Sequence, residues 1–148
     1  MPPIVNRFEV ARPPDQVFAY VTDPARFAEW QDDVVRVQLE DGRPPGLGAR
    51  FTTIRRIGRV EQTTTQEITE LSPPRSWACR GVDGPFRPSA GITVEPLAGG
   101  TRSQVTIALD FEGHGIGRLL PLDVIRRMAA KGAPRSYRNL KEQLERGA

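Results

Sequence analysis

Apolar and polar residues alternate along most of the first 111 residues, with the period of two that is typical of strands covering a core. The segments end in short connections rich in Gly, Pro and Asp, such as "DGRPPGLG" and "AGG". From residue 34 onward such connections join successive strands, and none of them is long enough for the crossover that parallel strands need. The pattern therefore predicts an antiparallel meander. The predicted strands cover residues 4–11, 34–40, 49–57, 59–71, 77–82, 90–97 and 101–111.

Two short helices are predicted between the first and second strands, within "RPPDQVFAYVTDPARFAEW". The first begins at Pro14 or Asp15, because proline is favoured in the first turn of a helix. The sequence "TDPA" ends it and starts the second, with Thr22 or Asp23 as the N-cap and Pro24 as the first helical residue.

The period changes to three and four in the last part of the chain, between Ile116 and Leu144. This spacing predicts a helix with one buried stripe, about 45 Å long at 1.5 Å per residue. The segment "KGAP" (131–134) places Gly and Pro in its middle, so we expect a kink or a break there. The predicted stripe comprises Leu119, Leu122, Ile125, Met128 or Ala129, Ala133, Tyr137, Leu140 and Leu144.

One predicted strand, "RVEQTTTQEITEL" (59–71), lacks an apolar face. If Ile68 faces the helix, then Gln66, Thr64 and Gln62 do so too, because every second residue of a strand shares a face. Dry burial of these groups would cost about 1–3 kcal/mol each. Two interpretations remain open: the polar residues line a cavity, or this end of the strand has both faces in water.

A strand, two short helices, six strands and a long helix form an α+β protein, in which the helix must bury its stripe against the sheet. Seven twisted antiparallel strands curl, so one helix does not fill the concavity along its whole length. We therefore expect a cavity between sheet and helix, in a single domain spanning residues 1–148.

Composition places the chain among ordinary globular proteins, with 38% hydrophobic and 26% charged residues. The net charge is only +3 and the basic residues are spread along the chain, which argues against a nucleic-acid-binding surface. A single cysteine, Cys79, excludes an internal disulfide and a multi-cysteine metal site. We see no secretory signal or membrane-spanning segment and expect a cytoplasmic protein with neither metal nor cofactor. An oligomer is not predicted.

Four sequence segments resemble those of a known family: "VARPPDQVFAYVTDPARFAEW", "EITELSPPRSWACR", "VEPLAGGTRSQVTI" and "NLKEQLE". With the order of elements, they resemble the polyketide cyclase/dehydrase and lipid transport family of the START-like (SRPBCC) superfamily, over essentially the whole chain. The resemblance implies the helix-grip fold, in which a curved sheet wraps a long C-terminal helix. It also implies an internal pocket for small lipid-like, polyketide or other aromatic ligands, but no single activity.

Three functions follow as hypotheses. The first is binding of a small hydrophobic or aromatic, partly polar molecule in the cavity, driven mainly by burial. The second is an enzyme, a polyketide aromatase/cyclase or dehydratase that holds a reactive chain folded, so that proximity supplies most of the acceleration. The third is a partner-binding accessory protein with a filled core and an exposed apolar patch.

Candidate site residues come from the inner faces of the predicted elements, where aromatic rings form core or line a site for flat ligands. The predicted ligand-lining residues are Trp30, Phe51, Gln62, Thr64, Gln66, Trp77, Cys79, Phe86, Ile92, Ile107, Leu109, Phe111, Ile125 and Met128. Cys79 is also interpreted as a buried thiol that packs as a small hydrophobe.

Three polar residues are weak catalytic candidates, each with a structural alternative. His114, the one histidine, is a general acid or base at the cavity mouth, or an exposed residue of a Gly-rich connection. Arg55 polarises a carbonyl or stabilises an enolate inside, as proposed for aromatase/cyclase relatives, or is solvated on the outer face. Tyr137 presents its hydroxyl to the cavity, or is a core residue with a satisfied hydroxyl.

Overall fold

The computed structural model describes residues 3–40, 46–57, 59–119 and 121–147. Its strands are β1 (Ile4–Val10), β2 (Val34–Leu39), β3 (Arg50–Ile57), β4 (Val60–Ser72), β5 (Ser76–Gly81), β6 (Phe86–Leu97) and β7 (Arg102–Gly113). Within the described residues these seven strands form one antiparallel sheet in the order β1-β7-β6-β5-β4-β3-β2. The predicted meander and the α+β class are therefore confirmed.

The strand order places β1 and β2, which are successive strands in the chain, at opposite edges of the sheet. Strands β2 to β7 follow one another through hairpins, and β1 joins at the far side by pairing Ile4 with Leu109 and Val10 with Ser103. Because antiparallel partners share a face, this register determines which side chains meet on the inner side of the sheet.

Strand β6 begins at Phe86, four residues before the predicted start at 90. Residues 86–89 lie outside the predicted strands, and they include Pro88, which cannot donate to a ladder. The pairing between β5 and β6 ends at Arg80 and Ser89, so the earlier residues pair with β7 alone, Pro88 lying opposite Phe111. Proline is tolerated in a strand with one free edge.

The helices agree with the predicted order. They are α1 (Pro14–Val21), a 3-10 turn (Pro24–Arg26) continuing into α2 (Phe27–Trp30), and α3 (Leu122–Glu145), which follows a 3-10 segment at Gly115–Leu119. The predicted cap is present, because the Asp23 carboxylate accepts a hydrogen bond of 3.0 Å from the Ala25 N–H.

Helix α3 is shorter at its start than predicted and is not broken. It begins at Leu122 rather than Ile116, so its 24 residues span about 36 Å. It continues through Gly132 and Pro134, so the predicted break is absent, while the alternative of a kink stays a prediction. Both residues are exposed, as is Ala130, whose carbonyl cannot accept a hydrogen bond from Pro134, so water can reach this part of the helix.

The core lies between the inner face of the sheet, α1, α2 and the second half of α3. Its centre is aromatic: Phe27 meets Phe51 and Trp77 edge-on, with ring centroids 5.9 and 6.1 Å apart. Edge-to-face contacts of this kind stabilise beyond the area they bury. This end of the interior is packed with side chains, which leaves the other end for a site.

Candidate functional site

Helix α3 buries its stripe over only half its length. In its first half, residues 122–132, all of which the structure describes, no side chain is buried. The buried positions begin at Ala133 and continue with Tyr137, Leu140 and Leu144. The predicted stripe is wrong at Leu119, which is 88% exposed. Of the alternatives Met128 and Ala129, Met128 is 53% exposed and Ala129 is half-buried. The first half of α3 thus covers the sheet without packing into it.

The inner face of the sheet is correspondingly open at this end. Most inner-facing residues there are half-buried, with Phe86 and Cys79 as buried exceptions, whereas most of those beside α1 and α2 are fully buried. They come from the start of β1, β4 and β6 and the end of β3 and β7, which meet at one end of the sheet. We call this space the concavity. Its inner-facing residues are Ile4, Asn6, Arg55, Gln62, Pro88, Ala90, Leu109 and Phe111.

The polar strand β4 turns its alternate residues towards this interior. Gln66 and Thr64 are buried, Gln62 is half-buried, and the intervening Thr63 and Glu61 are exposed. On the inner face of β3, Phe51 pairs with Gln66, Thr53 with Thr64 and Arg55 with Gln62. The question left open by the sequence is answered: these polar residues do not belong to a strand with two wet faces.

Two of the buried polar residues satisfy each other. The Thr53 hydroxyl donates to Gln66 Oε1, and Gln66 Nε2 donates to Cys79 Sγ at 3.5 Å. Gln66, predicted to bind ligand, is therefore engaged within the protein. Thr53 was missed by the sequence analysis, although its position two residues after Phe51 could have placed it on the inner face.

Two buried polar atoms have no such partner. Trp30 and Tyr137 are 4% and 7% exposed, and among the described residues neither Trp30 Nε1 nor the Tyr137 hydroxyl finds a hydrogen-bond partner. Their rings are neighbours with centroids 6.4 Å apart, and Phe8 stacks on Tyr137 at 5.5 Å. A buried donor left unpaired costs about 1–3 kcal/mol. The interpretation of Tyr137 as a satisfied core residue is therefore wrong.

Arg55 lies on the inner side of the sheet, not on the outer face. Its side chain is 27% exposed, and its guanidinium donates to both oxygens of the Asp33 carboxylate at 3.1 and 3.2 Å. It lies close enough to Cys79 and Tyr137 to oppose the effect of burial on their pKa values. The alternative of a solvated outer-face arginine is wrong.

Burial keeps the thiol and the phenol of this interior protonated. Burial raises the pKa of Cys79 to about 12 and also raises the pKa of Tyr137, with Arg55 lowering both in part. A neutral, buried thiol is a poor nucleophile. The Tyr137 hydroxyl keeps its proton near neutral pH and can donate it in a hydrogen bond.

One charged contact holds the first half of α3 over the concavity. Arg126 Nε and Nη2 donate to Asp110 Oδ1 at 3.1 and 2.9 Å, and Nη2 also donates to the Phe111 carbonyl at 3.0 Å. Burial would raise the pKa of Asp110, but the bonds from the Phe111 N–H and from Arg126 outweigh it and lower the pKa. No pattern in the sequence indicated this pair.

The remaining candidates separate into three places. Gln62, Leu109, Phe111 and Ile125 are half-buried at the concavity. Met128 and His114 lie outside it: the His114 side chain is 40% exposed and its Nε2 is 3.1 Å from Glu112 Oε2. The third group is packed in the core or, for Phe86, stacked on Phe111 at 5.4 Å; its members are Phe51, Trp77, Cys79, Phe86, Ile92 and Ile107.

Metal and membrane sites receive no support from the part of the chain that is described. Within it, no three His, Cys, Asp or Glu side chains are grouped so as to hold a metal ion. No helix among the described residues has both the length and the apolar character that crossing a bilayer requires.

Comparison with known proteins agrees with this geometry. The profile of the polyketide cyclase/dehydrase and lipid transport family matches residues 1–145. The chain belongs to this family. The resemblance found in the sequence is therefore confirmed, and no curated protein sequence matches the chain.

Solved structures share the fold at low sequence identity. A START superfamily protein from Mycobacterium smegmatis superposes with a TM-score of 0.78 at 14% identity, over 100% of both chains. The protein TTHA0849 from Thermus thermophilus gives 0.78 at 15% identity, over 99% of this chain and 100% of the other. The di-domain ARO/CYC BexL from the BE-7585A biosynthetic pathway gives 0.73 at 19% identity, over 98% of this chain and 47% of the other. The predicted helix-grip fold is thus confirmed.

Proposed function

We propose that this protein binds a small, mainly apolar molecule with polar substituents in the concavity between the sheet and the first half of α3. The observation that carries the proposal is the contrast along α3: from residue 133 onward its stripe is buried, whereas residues 122–132 cover an inner face that stays half-buried. A helix that covers a sheet without packing into it leaves room for a ligand to take the place of core side chains.

The composition of the walls favours a ligand of mixed polarity. Leu109, Phe111 and Ile125 offer apolar surface, whose burial is worth about 25 cal/mol per Å². Gln62 and Arg55 contribute amide and guanidinium groups to the same wall, as Cα partners on β4 and β3. A wholly apolar ligand would bury the Gln62 amide without a partner, which is unfavourable.

The test is ligand binding to wild type and to two matched alanine variants. Ala90 faces the concavity and pairs with Leu109. Ala108 precedes Leu109 in β7 and therefore faces the opposite side of the sheet. Wild type should be stabilised against heat by at least one of palmitate, naringenin and 9-fluorenone. Ala90→Phe should weaken that stabilisation at least about tenfold in apparent affinity, because its ring occupies the space.

Ala108→Phe adds the same ring outside the concavity and should leave binding unchanged. Native mass spectrometry of protein from its own host should find a small molecule that Ala90→Phe does not retain. Failure of all three probes to stabilise wild type, with no retained molecule, would contradict the proposal.

A second candidate is a polyketide aromatase/cyclase or dehydratase, and one observation favours it. Arg55 and Tyr137, predicted as catalytic candidates, both belong to the interior, with the guanidinium close enough to lower the pKa of the phenol. A folded poly-β-ketone would need such donors beside its carbonyls. If this candidate is correct, Arg55→Gln should abolish turnover of a poly-β-ketone thioester while retaining binding. Equal turnover by wild type and Arg55→Gln would argue against it.

A further inference from the structure

The chemistry of the ligand follows from two buried groups that the fold does not use. Trp30 Nε1–H and the Tyr137 O–H, here called the interior donors, find no hydrogen-bond partner among the described residues. Other buried polar groups nearby are paired, as in the bond from Thr53 to Gln66, so the interior does not generally leave such groups unsatisfied. An unpaired buried donor gains more from an incoming acceptor than an exposed donor does, because it has already lost its water.

The interior donors lie where the packed core meets the concavity. Tyr137 lies one turn after Ala133, which is the first buried residue of α3. It is therefore close to the boundary between the packed and the unpacked half of this helix. The charge of Arg55, which lies on the wall of the concavity, acts on the Tyr137 phenol. Trp30 belongs to α2 and is fixed there by Asn139 of α3, whose Nδ2 donates to the Trp30 carbonyl at 3.3 Å.

We propose that the ligand carries a carbonyl-type oxygen that accepts hydrogen bonds from both Trp30 Nε1–H and the Tyr137 O–H. This inference rests on the proposed function and deepens it by naming the ligand class: flat aryl ketones, quinones and related carbonyl compounds, rather than hydrocarbons or simple acyl chains.

The stoichiometry supports an acceptor with two lone pairs. The indole N–H can only donate, so a ligand group beside it must accept. A carbonyl oxygen has two lone pairs, one for each interior donor. A hydrocarbon of the same shape would leave both donors buried and unpaired.

The surrounding rings favour a flat ligand. Phe8 stacks on Tyr137 with an interplanar angle of 16°, and Trp30 is tilted by 42° against the same ring. Neither polar atom touches solvent, so the ligand oxygen reaches them as neighbouring side chains move apart. The first half of α3, which has no buried side chain in residues 122–132, is the element that can yield.

The experiment compares 9-fluorenone with fluorene, which have the same three rings and differ in a carbonyl against a methylene. Isothermal titration gives the dissociation constants of both compounds. After correction for the difference in their water-to-octanol transfer free energies, wild type should bind the ketone about tenfold more tightly than the hydrocarbon. Tyr137→Phe removes only the hydroxyl and should reduce that preference to about threefold or less without weakening fluorene binding. In wild type, fluorenone should also move the indole N–H resonance of Trp30 downfield, in the direction of a new hydrogen bond.

The chain offers a matched control in its other tyrosine. The Tyr20 hydroxyl is already bonded to Glu29 Oε1 at 3.0 Å, so Tyr20→Phe should leave the preference intact. Equal binding of ketone and hydrocarbon by wild type, or an unchanged preference in Tyr137→Phe, would overturn the inference while leaving the proposed function standing. Binding of neither compound, to wild type or to Tyr20→Phe, would overturn the inference, whereas the proposed function would still stand if palmitate or naringenin stabilised wild type.

Discussion

The two halves of α3 have the same helical period but different surroundings. Residues 133–145 place Ala133, Tyr137, Leu140 and Leu144 against the sheet and α2, whereas residues 122–132, all described, bury none. The first half is held instead by Arg126, which bonds to Asp110 and the Phe111 carbonyl. One half is fixed by apolar packing and the other by a charged contact near the end of β7.

This difference shows that an amphipathic stripe does not by itself mean a packed core. The stripe requires an apolar surface opposite it, and the sheet provides a close one only beside α1 and α2. Opposite the first half of α3, between Leu122 and Ala133, the inner face of the sheet presents half-buried residues such as Leu109 and Phe111. In a protein that binds a molecule between helix and sheet, the second half supplies stability and the first half supplies the covering.

The strongest test of the comparison is truncation of one side chain in each half. Leu140→Ala should destabilise the protein by about 2–5 kcal/mol, because Leu140 is fully buried and its loss leaves a cavity. Met128→Ala should cost less than about 0.5 kcal/mol, as is usual for an exposed position. Urea unfolding monitored by far-UV circular dichroism measures both. Similar losses in the two variants would show that the halves are equally packed.

Hydrogen exchange should sharpen the same contrast residue by residue. We expect the backbone amides of residues 125–132 to exchange roughly a hundredfold faster than those of residues 137–144, because local opening of the first half exposes little apolar surface. Two-dimensional NMR of the protein in D2O at neutral pH gives the rates. Saturation with a bound ligand should narrow the gap, and uniform protection along α3 before ligand addition would contradict the expectation.

The charged contact should have the smallest effect and a defined pH dependence. Asp110→Asn should cost about 0.5 kcal/mol at pH 7, because the pair is only partly buried. The pKa of Asp110 is lowered in the folded state, so its contribution is present above the unfolded value near 3.9 and is lost as the pH falls through the lower folded pKa.

The difference in unfolding free energy between wild type and Asp110→Asn should therefore shrink below about pH 4. A double-mutant cycle with Arg126→Gln supplies the control, since the effect of Asp110→Asn should largely vanish when Arg126 is already replaced. A constant difference from pH 7 to pH 3 would mean that the carboxylate charge does not stabilise this contact.

The order of the elements and most of their bounds could be predicted because they depend on local pattern. Strand alternation, the Asp23 cap and the short connections are properties of neighbouring residues. The misses are equally informative. Residues 86–89 were left outside the predicted strands, and the end of the pairing between β5 and β6 explains why Pro88 is tolerated in β6.

The candidate site was predictable in part, for a physical reason. Gln62 and Gln66 were expected to share the face of Ile68, and they do. Their different fates depend on Thr53, which bonds to Gln66 from the neighbouring strand. Met128 was assigned inward on helical spacing alone, and the width of the stripe could not be judged without the surface opposite it.

The sequence by itself determined the alternation of strands, the long terminal helix and the family, because these depend on residues close together along the chain or on the pattern of the whole. Tertiary structure alone decided that Arg55 faces inward, that Tyr137 and Trp30 become neighbours, and that half of α3 stays unpacked. A period of two defines two faces of a strand without saying which is inside. That choice belongs to register and to distant partners, whose contacts no local pattern contains.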